Sequence, residues 1–140
     1  MKKHRINWPG TGDGALLVLE HPFCPNCDWK WGMEHFNYDV IEVWNGALPT
    51  ASNLVCMDWW HKQLLDGKRI PVIGGSDFHR PEVARLIGSP CSCVYVMSNS
   101  PEDILYAIRS GNCITMFTNG PDLYSGGWRQ NMGRNRPHGK

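Results

Sequence analysis

The sequence predicts an α/β protein built on a mostly parallel sheet, and three observations carry that expectation. Short apolar runs of strand length recur along the chain, each followed by a turn-forming residue. Two longer segments with cap residues at both ends lie between them and read as helices. Polar side chains follow the apolar runs, at the carboxyl ends of the strands, where ligands bind in parallel βα folds.

The elements follow in order. "ALLVLEHP" (15–22) reads as a buried strand stopped by Pro22. "CPNCDWKWGMEHF" is loop-like and rich in aromatics. "DVIEVWNG" (39–46) is a second strand closed by Asn-Gly. "SNLVCMDWWHKQLLDG" is the clearest helix, with Ser52 as N-cap, Gly67 as stop, and an apolar stripe of Val55, Trp59, Leu64 and Leu65. The third strand starts at Ile70 in "IPVIGGSDFHR" and, if it runs on to His79, points Asp77 and His79 to the same side. "RPEVARLIG" is a short helix with Pro81 in its first turn. "CVYVMS" (93–98) is a fourth strand. "SPEDILYAIRSG" is a helix with Ser100 as N-cap, Pro101 at N1, Asp103 at N3 and Gly111 at its end, and "NCITMF" is a last strand.

Length and composition bound the function. A chain of 140 residues fits one domain. We place a folded domain at 1–118 and a flexible basic tail at 119–140. The net charge of +1 gives no global field toward nucleic acid. Arg129, Arg134, Arg136 and Lys140 in the tail read as a solvated arm rather than a nucleic-acid contact. No apolar run of about 18 residues is present, so no membrane span is expected. The start "MKKHRINWPG" is basic but lacks an apolar stretch, which favours a cytoplasmic location. In that compartment the six cysteines are expected to be reduced thiols or metal ligands. Seven tryptophans are too many to bury, and some are expected to line a pocket or an interface.

The residues that could carry chemistry are His21 after the first strand, Asn45 after the second, and Asp77 and His79 after the third. Imidazole nitrogen and carboxylate oxygen suit Zn, Mn or Fe. Held at strand ends, such a metal would lower the pKa of a bound water from about 15.7 to about 7. Asn45 is a candidate substrate contact, although Asn-Gly is also a turn signal. Glu42 reads as a buried carboxylate supporting the site or as an outward strand residue. Cys24 and Cys27, with His21 and His35 around them, are an alternative metal set of the zinc-knuckle kind. Cys91 and Cys93 read as packing residues.

"GGSDFHR", preceded by "WWHKQLLDGKRIPVI" and followed by "IGSPCSCVYVMSNSPEDILYAIRSGNCI", resembles the carboxy-terminal part of the PHP (polymerase and histidinol phosphatase) superfamily, in its CehA/McbA-like branch of metallohydrolases. "LEHPF" and "VIEVWNG" resemble the two strands that come before it in that family, so the resemblance covers residues 15–118. It implies a distorted, TIM-like β/α barrel that hydrolyses phosphoesters with metals at the carboxyl ends of its strands. His21, Asp77 and His79 match family metal ligands, and Arg80 and Arg85 are candidates for holding substrate phosphate. The family's amino-terminal His-x-His occurs nowhere in this chain. The resemblance therefore implies the last half of a barrel, either a truncated product or fragment or a half completed by another chain (a homo-oligomeric copy or the missing amino-terminal half), with a small phosphoester as substrate. Two other readings stay open: a catalytically incomplete fragment serving as a metal-binding or association module, and a small structural zinc-knuckle protein.

Overall fold

A computed structural model describes residues 14–27, 29–34, 36–80, 87–117 and the backbone of 123–124. The expected helix after Arg80, Arg85, His35 and the basic tail lie outside the described residues, apart from the strand at 123–124. Six strands and two helices are described: β1 (Val18–Leu19), β2 (Val40–Asn45), α1 (Ala51–Leu65), β3 (Val72–Gly75), β4 (Cys91–Val94), α2 (Pro101–Arg109), β5 (Cys113–Met116) and β6 (Leu123–Tyr124).

The strands form two sheets. β1, β2 and β3 lie side by side in that order and are parallel, as the sequence pattern predicts. β4, β5 and β6 form a second sheet that is antiparallel, so the expected mostly parallel arrangement holds for three of the six described strands. The cause is local. Tyr95 donates its N–H to the carbonyl of Asn112 at 2.9 Å, extending the β4–β5 ladder and closing the chain on itself. α2 is thus an excursion within a hairpin rather than a crossover between parallel strands.

β2 is the central strand of the first sheet, and Val40 to Trp44 are all buried. Burial without alternation is what a strand covered on both faces shows, and Glu42 is the one charged residue in the run. α1 packs on it with an inward row that includes Asn53, Cys56 and the partly buried Met57 and Trp60, at spacings of three and four. The expected stripe is wrong in part: Val55 is 51% exposed and Leu65 74%. Asn53 takes an inward place because it hydrogen-bonds the backbone of β2, and this rotates Val55 outward. The N-cap is Thr50 rather than Ser52, since the Thr50 hydroxyl accepts from the Asn53 N–H at 3.3 Å. Gly67 does follow the end of α1, with φ +79, in the left-handed region where glycine stops a helix without steric cost. α2 matches expectation: Ser100 caps it, its hydroxyl accepting from the Asp103 N–H, and Pro101 opens its first turn.

Two contacts join the halves. The Ser92 hydroxyl on β4 accepts from the Gly74 N–H at 3.0 Å and donates to the Gly74 carbonyl at 2.8 Å. One side chain therefore satisfies the open edge of β3 where no backbone ladder does. Arg109, at the end of α2, donates to the carbonyl of Ala15 at 3.1 Å and lies 4.0 Å from the carboxylate of Asp39. Asp39 in turn accepts from the Leu17 N–H at 2.9 Å. The start of β1 is held through this chain of polar contacts.

The junction is tight at Gly74. A Cβ there would lie 2.5 Å from Thr115 Cγ2 and 3.1 Å from the Trp44 carbonyl oxygen. Thr115 is buried, and its hydroxyl has no hydrogen-bond partner among the described residues. Gly74→Ala is expected to destabilise the chain by about 1–3 kcal/mol through overpacking. Thr115→Val, which keeps the shape and removes the stranded hydroxyl, is expected to stabilise it by about 1 kcal/mol. Denaturant midpoints of the two variants against the parent check both signs.

Candidate functional site

The carboxyl ends of β1 and β2 and the first turn of α1 surround a cleft of about 290 Å³. Its polar wall includes His21, Glu42, Asn45 and Asn53.

Glu42 organises that wall. It is 9% exposed, and its Oε2 accepts from the His21 N–H at 3.0 Å and from the Asn45 side-chain amide at 3.2 Å. Burial pushes its carboxyl above the ordinary carboxylate range, against the opposing pull of those two donors. Glu42 and Asn45 are three residues apart, so regular strand alternation would place them on opposite faces. They meet because β2 carries a bulge. Glu42 pairs with Ile73 and Trp44 with Gly74, leaving Val43 as the extra residue. No residue pattern in "VIEVWNG" announces this.

Asn45 is fixed on its backbone as well. Its N–H donates to Asn53 Oδ1 at 3.1 Å, and Asn53 returns its amide to the Asn45 carbonyl at 2.9 Å and the Leu48 carbonyl at 3.3 Å. The Asn45 side chain lines the cleft, held by Glu42.

His21 sits at φ +29, in the left-handed region where a non-glycine residue costs about 1–2 kcal/mol. Two backbone bonds hold it there: its N–H to Glu42, and its carbonyl accepting from the Cys24 N–H at 3.0 Å. That turn brings the Cys24–Cys27 loop back over the imidazole, and Cys27 Sγ lies 3.7 Å from His21 Nδ1. Cys24 and Cys27 are joined as a disulfide, which corrects the expectation of reduced thiols for this pair. With the disulfide opened, His21, Cys24 and Cys27 would offer three ligand atoms to a metal ion. Their ligand atoms all lie within 4.8 Å of one another, and they form the sole such group of three among the described residues.

Asp77 and His79 stand elsewhere. β3 ends at Gly75, and Asp77 has φ +50, so the strand does not run on to His79. Their side chains meet nonetheless, with Asp77 Oδ1 2.7 Å from His79 Nε2. Both are open to solvent, with side-chain exposures of 41% and 75%. Neither lines the cleft, and they do not gather with His21 within 4.8 Å. Arg80 is exposed and also lies outside the cleft.

Sequence reading missed Asn53 and Cys56 as site residues. Asn53 was hidden as a helix residue near a cap. Cys56 lines the cleft, but burial pushes its thiol up to about 12, so it is no nucleophile at neutral pH. Cys91, expected to pack, is exposed, with its sulfur 4.0 Å from that of Cys93. Among the described residues no helix is long and apolar enough to cross a membrane. No protein-family model, no curated protein and no solved structure matches the chain.

Two outcomes follow for the titrating groups. The folded chain holds the Glu42 proton more tightly than the unfolded chain, whose carboxyl titrates at its ordinary value of 4.5. Stability from this group is therefore present below that value and lost as pH rises through the raised folded one. Denaturant midpoints across about pH 4 to 7 should show this fall in the parent and a flatter profile in Glu42→Gln. Iodoacetamide on the native chain at neutral pH should label Cys91 readily and Cys56 only after unfolding, as read by peptide mass spectrometry.

Proposed function

We propose that the chain is a PHP-type metal-dependent hydrolase module, corresponding to the carboxy-terminal part of that barrel, and that its chemistry is phosphoester hydrolysis. The observation that carries the reading is the order of groups along the carboxyl edge of one parallel sheet. His21 follows β1, Asn45 closes β2, and Asp77 and His79 follow β3.

The donor set fits a divalent ion. Asp77 and His79 offer oxygen and nitrogen from a pair already in contact and open to solvent, so a metal can replace the proton between them. Asp77, His79 and His21 would hold the metal, whether Zn, Mn or Fe. When bound, it would supply hydroxide at neutral pH and offset charge on a phosphoryl oxygen. The first turn of α1, Ala51 to Asn53, lines the cleft, so the positive end of the helix dipole favours an anionic substrate there. Asn45 would contact that substrate, and Arg80 would attract it from the rim of the edge.

A second reading has its own observation. Among the described residues, His21 does not join Asp77 and His79 in a compact group, and the outer surface of α1 exposes Leu54, Val55 and Leu65. Both facts suit a module that binds metal without turnover, or one that completes its site by association with a second copy or an amino-terminal half.

The purified chain with Mn²⁺ or Zn²⁺ and p-nitrophenyl phosphate separates the two. The hydrolase reading expects turnover that drops by about 100-fold or more in Asp77→Ala/His79→Ala, with the fold retained. Metal uptake that depends on Asp77 and His79, without turnover, would establish the module reading in its place.

A further inference from the structure

We propose that Cys24, Cys27 and His21 form a redox-gated site for a thiophilic divalent ion such as Zn²⁺, open when the two thiols are reduced and closed by their disulfide. The inference does not rest on the phosphoester reading, although His21 appears in both.

The donors are of the right kind and the right spacing. Two thiolates and an imidazole are the commonest ligands of zinc. With Zn–S near 2.3 Å and Zn–N near 2.0–2.1 Å, tetrahedral angles set sulfur and nitrogen about 3.6 Å apart. Cys27 Sγ and His21 Nδ1 stand 3.7 Å apart with no ion between them. All three ligand atoms lie within 4.8 Å of one another. The main chain that carries the imidazole is held in place. Glu42 fixes the His21 backbone N–H, and the His21 carbonyl fixes the Cys24 N–H, so the start of the loop and the His21 main chain are tied together. Three protein ligands leave a fourth position for water or for a ligand in the cleft, whose wall includes His21 and Cys24.

The gate is the disulfide itself. Its sulfurs carry no thiolate charge and cannot both ligate one ion while bonded to each other. An external thiol reductant of the dithiol or glutathione class opens it. Two reductant thiols give up two electrons and two protons and become a disulfide, and the Cys24–Cys27 bond is replaced by two thiols. Binding Zn²⁺ then releases those two protons as the thiols become thiolates. Cys27 is exposed, which gives the reductant access to one of the two sulfurs.

Co²⁺ added to the full chain tests the site, because thiolate ligation gives it a charge-transfer absorption in the near ultraviolet. Wild type reduced with a phosphine and freed of excess reductant should show the band, and wild type oxidised to the disulfide should not. Cys24→Ser/Cys27→Ser should lose it, and Cys91→Ser/Cys93→Ser, which removes the other close pair of sulfurs, should keep it. His21→Ala should weaken Co²⁺ binding by at least about 10-fold. Circular dichroism confirms that each variant is folded. A reduced wild type without the band, or a band that survives in Cys24→Ser/Cys27→Ser, overturns the proposal. Asp77→Ala/His79→Ala should keep the band whether or not it abolishes phosphoester hydrolysis, so failure of one reading is read apart from failure of the other.

Discussion

One buried carboxylate ties the carboxyl ends of β1 and β2 together, beside a glycine of β3. Glu42 Oε2 takes the N–H of His21 beyond β1 and the side-chain amide of Asn45 at the end of β2. Its Oε1 comes within 3.0 Å of where a Cβ on Gly75 of β3 would lie. Charge-assisted hydrogen bonds of this kind contribute about 1.5–3 kcal/mol each, while an unpaired carboxylate at that depth would cost several. The two donors offset the burial only in part, which is why the carboxyl remains harder to ionise than usual. The His21 N–H bond to Glu42, together with the Cys24 N–H bond to the His21 carbonyl, offsets the conformational cost of a histidine in the left-handed region. Without Glu42, nothing described on β2 would turn His21 toward the cysteine loop.

The bulge in β2 is what lets a single carboxylate do this. A strand of strict alternation would send Glu42 and Asn45 to opposite faces, and the cleft would keep only one of them. The extra residue at Val43 shifts the phase, and both polar groups arrive together while Ile41 and Val43 stay in the core. Gly74, which pairs with Trp44 just after the bulge, has no side chain to resist the approach of Thr115 and the Ser92 hydroxyl. The antiparallel sheet can then seat itself against the edge of β3. The site and the junction of the two sheets thus draw on the same irregularity.

Much of this was legible in the residues, for identifiable reasons. The parallel trio was readable because strand-length apolar runs are followed by turn residues and polar side chains, and α2 because its caps are local hydrogen bonds written into Ser100, Pro101 and Asp103. The direction of β5 against β4 was not, since it depends on where Tyr95 meets Asn112, a pairing between distant residues. The outward turn of Val55 was hidden for a related reason. Periodicity treats Asn53 as polar and therefore exposed, but its partners are backbone groups of another element. The closeness of Asp77 to His79 was expected, yet by the wrong route. An extended strand would have aligned them, whereas a left-handed turn at Asp77 brings them together after the strand has ended.

His21 is where the two metal readings compete. A neutral imidazole has one nitrogen to give and one that carries a proton. Nδ1 faces Cys27. If an ion held by the reduced thiols occupies Nδ1, the proton must sit on Nε2, and that nitrogen is then closed to an ion held by Asp77 and His79. If the thiols are oxidised, Nδ1 can keep the proton and Nε2 becomes the donor. On these proposals, the oxidation state of two cysteines would set the tautomer of the one residue that both sites claim. The backbone of His21 is fixed at the end of β1, so one imidazole would have to serve both proposed sites, and filling one would compete with filling the other.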